Sequence, residues 1–257
     1  MSAVLAPGRV GGVAFSTLGE GGPVTVFAHG LGGSSAETRP LARRVPGTRV
    51  LLDLRGHGTS DALPGGWDYD LLADDVLAVA DAVGADRAVG LSLGGGALLR
   101  ALSRDPGRFT RLAFVLPAAL DGERTDGATL RVRLLGDAID AGDVERVTEI
   151  LLSEVPEAAQ ERRGVAALVA RRAQQLTSRP APRPLRPDRP LADRALLSAV
   201  RVPALVVAQE GDPLHSLDVA RDLCEALPDC RLEVLPPGGV FWTAAPAVRD
   251  ALAGHLT

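Results

Sequence analysis

Ser92 stands in Val89-Gly90-Leu91-Ser92-Leu93-Gly94-Gly95-Gly96, with a short apolar run before it and a helix-length pattern after it. A serine hydroxyl projecting from a sharp strand-to-helix turn becomes a nucleophile when a base takes its proton. The flanking glycines permit that turn and let the backbone N–H of Leu93 point into the same space. A second segment, Val26-Phe27-Ala28-His29-Gly30-Leu31-Gly32-Gly33, is a strand running into a glycine-rich loop. There the N–H of Leu31 can face a developing oxyanion, with Gly30 beside it in the substrate pocket. Neither glycine cluster supplies G-x-G-x-x-G between strand and helix, which excludes a dinucleotide cradle. His29, beside the turn, reads as structural rather than catalytic.

These residues need a scaffold, and the chain alternates short β-type runs with helix-length segments. Strands are predicted at 23–28, 48–53, 85–91, 111–116, 204–208 and 231–235, each a Val/Leu/Phe-rich run of the kind buried on both faces. Helices are predicted at 69–83, 94–103, 217–226 and 245–256. That order gives an α/β class with a mainly parallel central sheet flanked by helices. Between about 118 and 203 the alternation stops, and helical patterns appear at 128–141, 144–155 and 158–176. A stretch holding Pro180, Pro182, Pro184, Pro187 and Pro190 follows and cannot be a regular helix. The expected organisation is a core of residues 1–117 and 203–257, with 118–202 forming an inserted helical cap and a proline-rich return segment.

Taken together, the motifs resemble those of the α/β-hydrolase superfamily. Ser92 lies in its G-x-S-x-G nucleophile elbow, and Asp53-Leu54-Arg55-Gly56-His57-Gly58-Thr59-Ser60 is similar to its D-x-R-G-x-G-x-S loop. Val206-Val207-Ala208-Gln209-Glu210-Gly211-Asp212-Pro213 is similar to its late strand and acid-bearing loop. The resemblance implies an α/β-hydrolase fold, Asp212 as the triad acid and Leu31 and Leu93 as oxyanion donors.

The third triad position departs from the pattern. Family members typically place a glycine-histidine pair before the final helix, whereas this chain reads Leu235-Pro236-Pro237-Gly238-Gly239-Val240-Phe241-Trp242. Val240 cannot accept the serine proton, so the triad position is degenerate and the ordinary relay cannot run through it. Four histidines are present. His255 ends the last helix, about 20 Å beyond Val240 at 1.5 Å per residue. His57 lies in a loop where the family's histidine is usually structural. His215, three residues after Asp212 and at the expected sheet edge facing the pocket, is a possible substitute base; a polar residue at a helix start is its plainer reading. Glu210 could serve if burial raised its pKa, against the plainer reading of a loop acid. Trp67, Phe241 and Trp242 are candidate pocket walls, because aromatics are only 3% of the chain; core packing would explain them equally well.

Composition narrows the classes further. The 257 residues carry a net charge of −4, which argues against nucleic acid as a partner. The chain has no lysine, so internal Schiff bases, lysine bases and the P-loop lysine are excluded. No cofactor and no metal are expected, since metal-type Cys/His spacing is absent. Cys224 and Cys230 read as a reduced pair, agreeing with a reducing compartment. The N-terminus lacks a signal-peptide pattern, and the charge-free run 88–99 is too short for a membrane span. A cytoplasmic protein with no membrane partner is the expectation.

From Gln160 to Ala195 nine arginines face three acids. A solvated helix face is the simpler account, and recognition of an anionic substrate or an acidic carrier protein is the sharper one. Three functions compete on this evidence. The first is acyl transfer or hydrolysis of a small-molecule or peptide ester, thioester or amide through Ser92. The second is a non-hydrolytic epimerase, lyase or cyclase with substrate-assisted proton transfer. The resemblance allows this, since atypical members with broken triads include an epimerase of peptide natural-product biosynthesis, a secondary metabolism. The third is a non-catalytic ligand-binding pseudo-hydrolase.

Overall fold

Eight strands form one sheet in the order β1-β2-β4-β3-β5-β6-β7-β8. This computed structural model describes residues 6–63, 65–122, 127–185 and 188–257, the side chain of Ala158 excepted. The strands β3 (Val24–Ala28), β4 (Thr48–Asp53), β5 (Arg87–Leu91), β6 (Arg111–Val115), β7 (Ala204–Gln209) and β8 (Cys230–Leu235) run parallel. Every residue of β7 is buried, which is why these strands read as continuous apolar runs rather than alternating ones.

The sequence reading missed the antiparallel edge. β1 (Ala6–Val10) and β2 (Val13–Leu18) form a hairpin that joins the sheet through β4. Its two-residue loop is Gly11-Gly12, with φ of 53° and 86°, the left-handed pair that a tight hairpin turn demands.

Helices cover both faces. On one, α2 (Tyr69–Val83), α3 (Leu93–Arg104) and α8 (Leu217–Ala226) bury residues such as Leu72, Val76, Leu98, Leu102 and Leu223. On the other, α9 (Ala245–His255) and the 3-10 turn Leu41–Arg44 enclose Phe27, Leu51, Val115, Val207, Val248 and Leu252. Asp68 caps α2 by accepting the Leu71 N–H at 2.9 Å, and Gly84 closes it in the left-handed conformation. A short α1 (Ser35–Thr38) follows the loop after β3.

Between β6 and β7 lie α4 (Gly127–Asp140), α5 (Val144–Ser153), α6 (Glu157–Gln160) and α7 (Val165–Thr177). They share a core of their own that includes Ile139, Val147, Ile150, Val165, Val169 and Ala173. The single helix expected over 158–176 is broken, because Gly164 takes φ 91° and starts α7 afresh.

The return segment is fastened by arginine. Arg100 reaches the carbonyls of Arg189 and Pro190, each at 2.7 Å, and the carboxylates of Asp70 and Asp188. Arg183 joins Asp137 and Asp140, and Arg194 joins Asp121 and Asp222. Much of the basic excess thus holds the cap to itself and to the core. Among the described residues, Arg162, Arg163 and Arg171 have no ion pair.

Cys224 and Cys230 are joined in a disulfide, correcting the expectation of a reduced pair. The end of α8 and the start of β8 bring their Cα atoms to 5.4 Å, within the range a disulfide spans. The cysteines therefore no longer argue for a reducing compartment. Closing so short a loop contributes about 2 kcal/mol by chain-entropy reasoning. The Cys224→Ser, Cys230→Ser double variant should lose about that much stability in urea unfolding, and an unchanged midpoint would show that the bridge is not formed in solution. No helix among the described residues is long and apolar enough to cross a membrane.

Candidate active site

Three side chains from two loops meet at the C-terminal ends of the central strands. Ser92 follows β5 and has φ 48° and ψ −109°, a positive φ that few non-glycine residues adopt. Its neighbours explain how the turn is possible. A Cβ on Gly90 would collide with Gly94 and Gly95, and one on Gly94 would collide with the Ala28 carbonyl. Hydrogen bonds from the Ser92 N–H to Val115 and from the Gly94 N–H to His29, both 3.0 Å, hold the strained turn against β6 and β3.

His215 lies 2.9 Å from Ser92 through Nε2 and 2.9 Å from Asp212 Oδ1 through Nδ1. An imidazole, absent at position 240, thus reaches Ser92 from the turn that carries Asp212. Asp212 Oδ1 also accepts the backbone N–H groups of Leu214 at 2.8 Å and His215 at 2.9 Å. One oxygen therefore shapes the turn and orients the ring it carries. Burial pushes the Asp212 carboxyl up, but the His215 ring and these backbone donors outweigh it and hold the group below its usual range. With Asp212 ionised, Nδ1 is the donor and Nε2 is left to accept the Ser92 proton.

The other histidines are committed elsewhere. Buried His29 bonds through Nδ1 to the Gly30 carbonyl at 2.7 Å, and its Nε2 accepts the Leu54 N–H at 3.0 Å. Burial lowers its pKa, keeping it neutral and able to do both. Since the Gly30 carbonyl and the Leu31 N–H belong to one peptide plane, His29 aims the Leu31 donor. The Gly33 N–H bonds to the same carbonyl at 3.0 Å. His57 packs at 5.0 Å from the His29 ring, and burial together with that neighbour takes its pKa down to about 4. His255 bonds to the Leu112 carbonyl at 2.9 Å, at the opposite end of β6 from the Val115 carbonyl that holds Ser92.

Gly30 borders Ser92, since a Cβ there would lie 3.5 Å from the serine Cβ. Among the described residues the N–H groups of Leu31 and Leu93 have no partner within the fold, so both remain available to an oxyanion. Glu210 is an exposed loop acid, as its plainer reading had it. Val240 is 2% exposed in the apolar layer beneath α9, within a π-helical turn spanning Gly239–Thr243. From that turn Phe241 packs on the same layer, while Trp242 packs on the cap's core. Trp67, expected at the pocket wall, is instead buried in the main core. Its indole N–H donates to the Pro182 carbonyl at 3.3 Å and its ring meets Tyr69 edge-on, anchoring the return segment.

Glu37 is a site residue that sequence reasoning missed. Its Oε2 accepts the Gly30 N–H at 3.0 Å, and its Oε1 lies 3.1 Å from Arg172 of α7. The available signal was Ser34-x-x-Glu37, which resembles a capping box. Ser34 does cap α1, but the carboxylate reaches back past the cap to Gly30. In the cap, Glu154 is raised chiefly by burial, against Arg131 at 3.2 Å and the fields of Arg172 and His215. No cluster of metal-ligating residues occurs among the described residues.

Residues 25–251 match the family model described as "Alpha/beta hydrolase family". The pimeloyl-[acyl-carrier protein] methyl ester esterase of Chromobacterium violaceum is 31% identical over 253 residues, covering 93% of this chain and 96% of that protein. The AB hydrolase superfamily protein YisY of Bacillus subtilis is 35% identical over 107 residues, a match spanning 40% of each chain. The solved structure of Rv0554 from Mycobacterium tuberculosis superposes with a TM-score of 0.78, covering 98% of both chains at 17% identity, a likeness of fold.

Proposed function

Because the chain belongs to the alpha/beta hydrolase family, we propose that it cleaves an ester, thioester or amide by acyl transfer through Ser92. His215 is the base, Asp212 the orienting acid, and the Leu31 and Leu93 N–H groups form the oxyanion hole. The reading rests on the 2.9 Å contact between His215 Nε2 and the Ser92 hydroxyl.

Ser92 Oγ attacks the substrate carbonyl carbon as its proton passes to His215 Nε2. Negative charge gathers on the carbonyl oxygen, facing the two N–H donors. Collapse breaks the bond to the leaving alcohol, thiol or amine, which takes the proton from the imidazolium. Water then attacks the acyl-serine with its proton moving to Nε2, and the acid leaves as Ser92 is regenerated. Asp212 balances the imidazolium in both halves and keeps the proton-accepting nitrogen toward Ser92.

The 31% identical methyl ester esterase makes a carboxylic ester the first substrate class, with a carrier-linked acyl chain as its most specific form. Non-acyl chemistry and simple binding have no comparable geometric support. Fluorophosphonate labelling read by intact mass tests the reading. One adduct is expected on the wild-type chain and none on Ser92→Ala. An unlabelled but folded wild-type chain would overturn the proposal in favour of non-acyl chemistry or binding.

A further inference from the structure

We infer that Arg172 is a positioning residue: by neutralising Glu37 it lets the loop carrying the Leu31 donor stabilise an oxyanion, which couples that hole to the docked cap. The inference rests on the acyl-transfer reading of Ser92. Glu37 fixes the Gly30 N–H, and a Cβ on Gly33 would collide with its carboxylate, so the loop is built around this side chain. The same position puts a carboxylate beside Gly30, whose own neighbour is Ser92. Uncompensated, that negative charge opposes the negative charge that develops during attack.

Compensation comes from the cap. Arg172 NH1 lies 3.1 Å from Glu37 Oε1; Glu37 is 13% exposed and the Arg172 side chain 38%, so solvent screens the pair only in part. The buried Arg172 Nε has no partner, which leaves Glu37 as the guanidinium's one hydrogen-bond partner among the described residues. Four residues on, and so on the same face of α7, Leu176 packs against the same loop, its Cδ2 3.3 Å from where a Gly32 Cβ would lie. Helix α7 thus meets the oxyanion loop through one apolar and one charged contact. The other titratable groups around the pair are Glu154, which feels the charge of Arg172, and the buried His29 and His57, which feel the charges of Glu37 and Asp53.

A double-mutant cycle on ester hydrolysis separates this role from mere support. Arg172→Met should lower kcat by about 10- to 100-fold, with KM much less affected. Glu37→Gln keeps an acceptor for the Gly30 N–H without the charge and should cost about 3- to 5-fold. In the Glu37→Gln background the Arg172→Met penalty should shrink to about 3-fold or less. A penalty of equal size in both backgrounds, or one confined to KM as for a residue holding a substrate anion, overturns the inference. Arg172→Gln replaces Arg172→Met if the latter does not fold, with the same expectations. Fluorophosphonate labelling of the set tells the two failures apart. No Ser92-dependent label on wild type ends the acyl-transfer reading and this inference with it; equal labelling rates in all variants end this inference alone.

Discussion

Replacing His215 with alanine should lower kcat on an activated ester by about 10⁴ to 10⁶, the scale of losing the base of a serine triad. No other histidine can take its place. His29 has both ring nitrogens engaged, and His57 is buried with a pKa of about 4, too weak a base to drive proton transfer from a hydroxyl. His255 is at the far end of the sheet, and Val240 offers no acceptor. The proposed hole of the Leu31 and Leu93 N–H groups would survive, so a residual of about 10³ over the uncatalysed reaction should persist. Steady-state kinetics on a p-nitrophenyl ester measure this directly. His57→Ala, with thermal unfolding monitored alongside, separates a lost base from a weakened loop. A His215→Ala loss below about tenfold would place the base elsewhere and dismantle the mechanism.

The parts of this site that were legible in the sequence are those fixed by backbone sterics. Gly90 and Gly94 must lack a Cβ because Gly95 and the Ala28 carbonyl occupy its place, so the elbow leaves a motif. Parallel strands buried on both faces leave apolar runs, and the predicted strand ends lie within two residues of those in the structure. His215 was legible as a possible base from its place three residues after Asp212, but the geometry that brings its ring to Ser92 was not. The spacing Asp212-x-x-His215 carries no mark of the turn that folds the ring back onto the acid which precedes it. Glu37 was hidden because its pattern has a sufficient local explanation in the cap of α1, while its actual partners are Gly30 and Arg172, 135 positions away from Glu37. The hairpin β1–β2 was missed for a different reason. β1 is largely exposed and has no apolar run, and only Gly11-Gly12 announced it. Trp67 shows the converse error, in which scarcity suggested a pocket wall and the return segment supplied the real partner.

Asp212 should separate into two effects that most serine triads keep entangled. In the usual arrangement, exchanging the acid for asparagine costs about 10⁴, because the amide turns its NH2 toward the imidazole and selects the wrong tautomer. Here the oxygen that meets His215 Nδ1 also accepts the backbone N–H groups of Leu214 and His215. An amide NH2 cannot occupy a position facing two N–H donors, so asparagine must keep its oxygen there and with it the correct tautomer. What Asp212→Asn removes is the charge. Without it, the imidazolium that forms as Ser92 attacks loses the carboxylate that lies 2.9 Å from its Nδ1. Losing a charge-assisted bond worth about 1.5–3 kcal/mol predicts a kcat about 10 to 10² below wild type. Asp212→Ala loses the turn as well, releasing the ring from Ser92, and should fall by about 10⁴. The ratio between the two variants, measured on one ester at one pH, reads the structural share of the acid's work. Equal losses would mean that the turn is held by other contacts and that Asp212 acts here as it does in any separated triad.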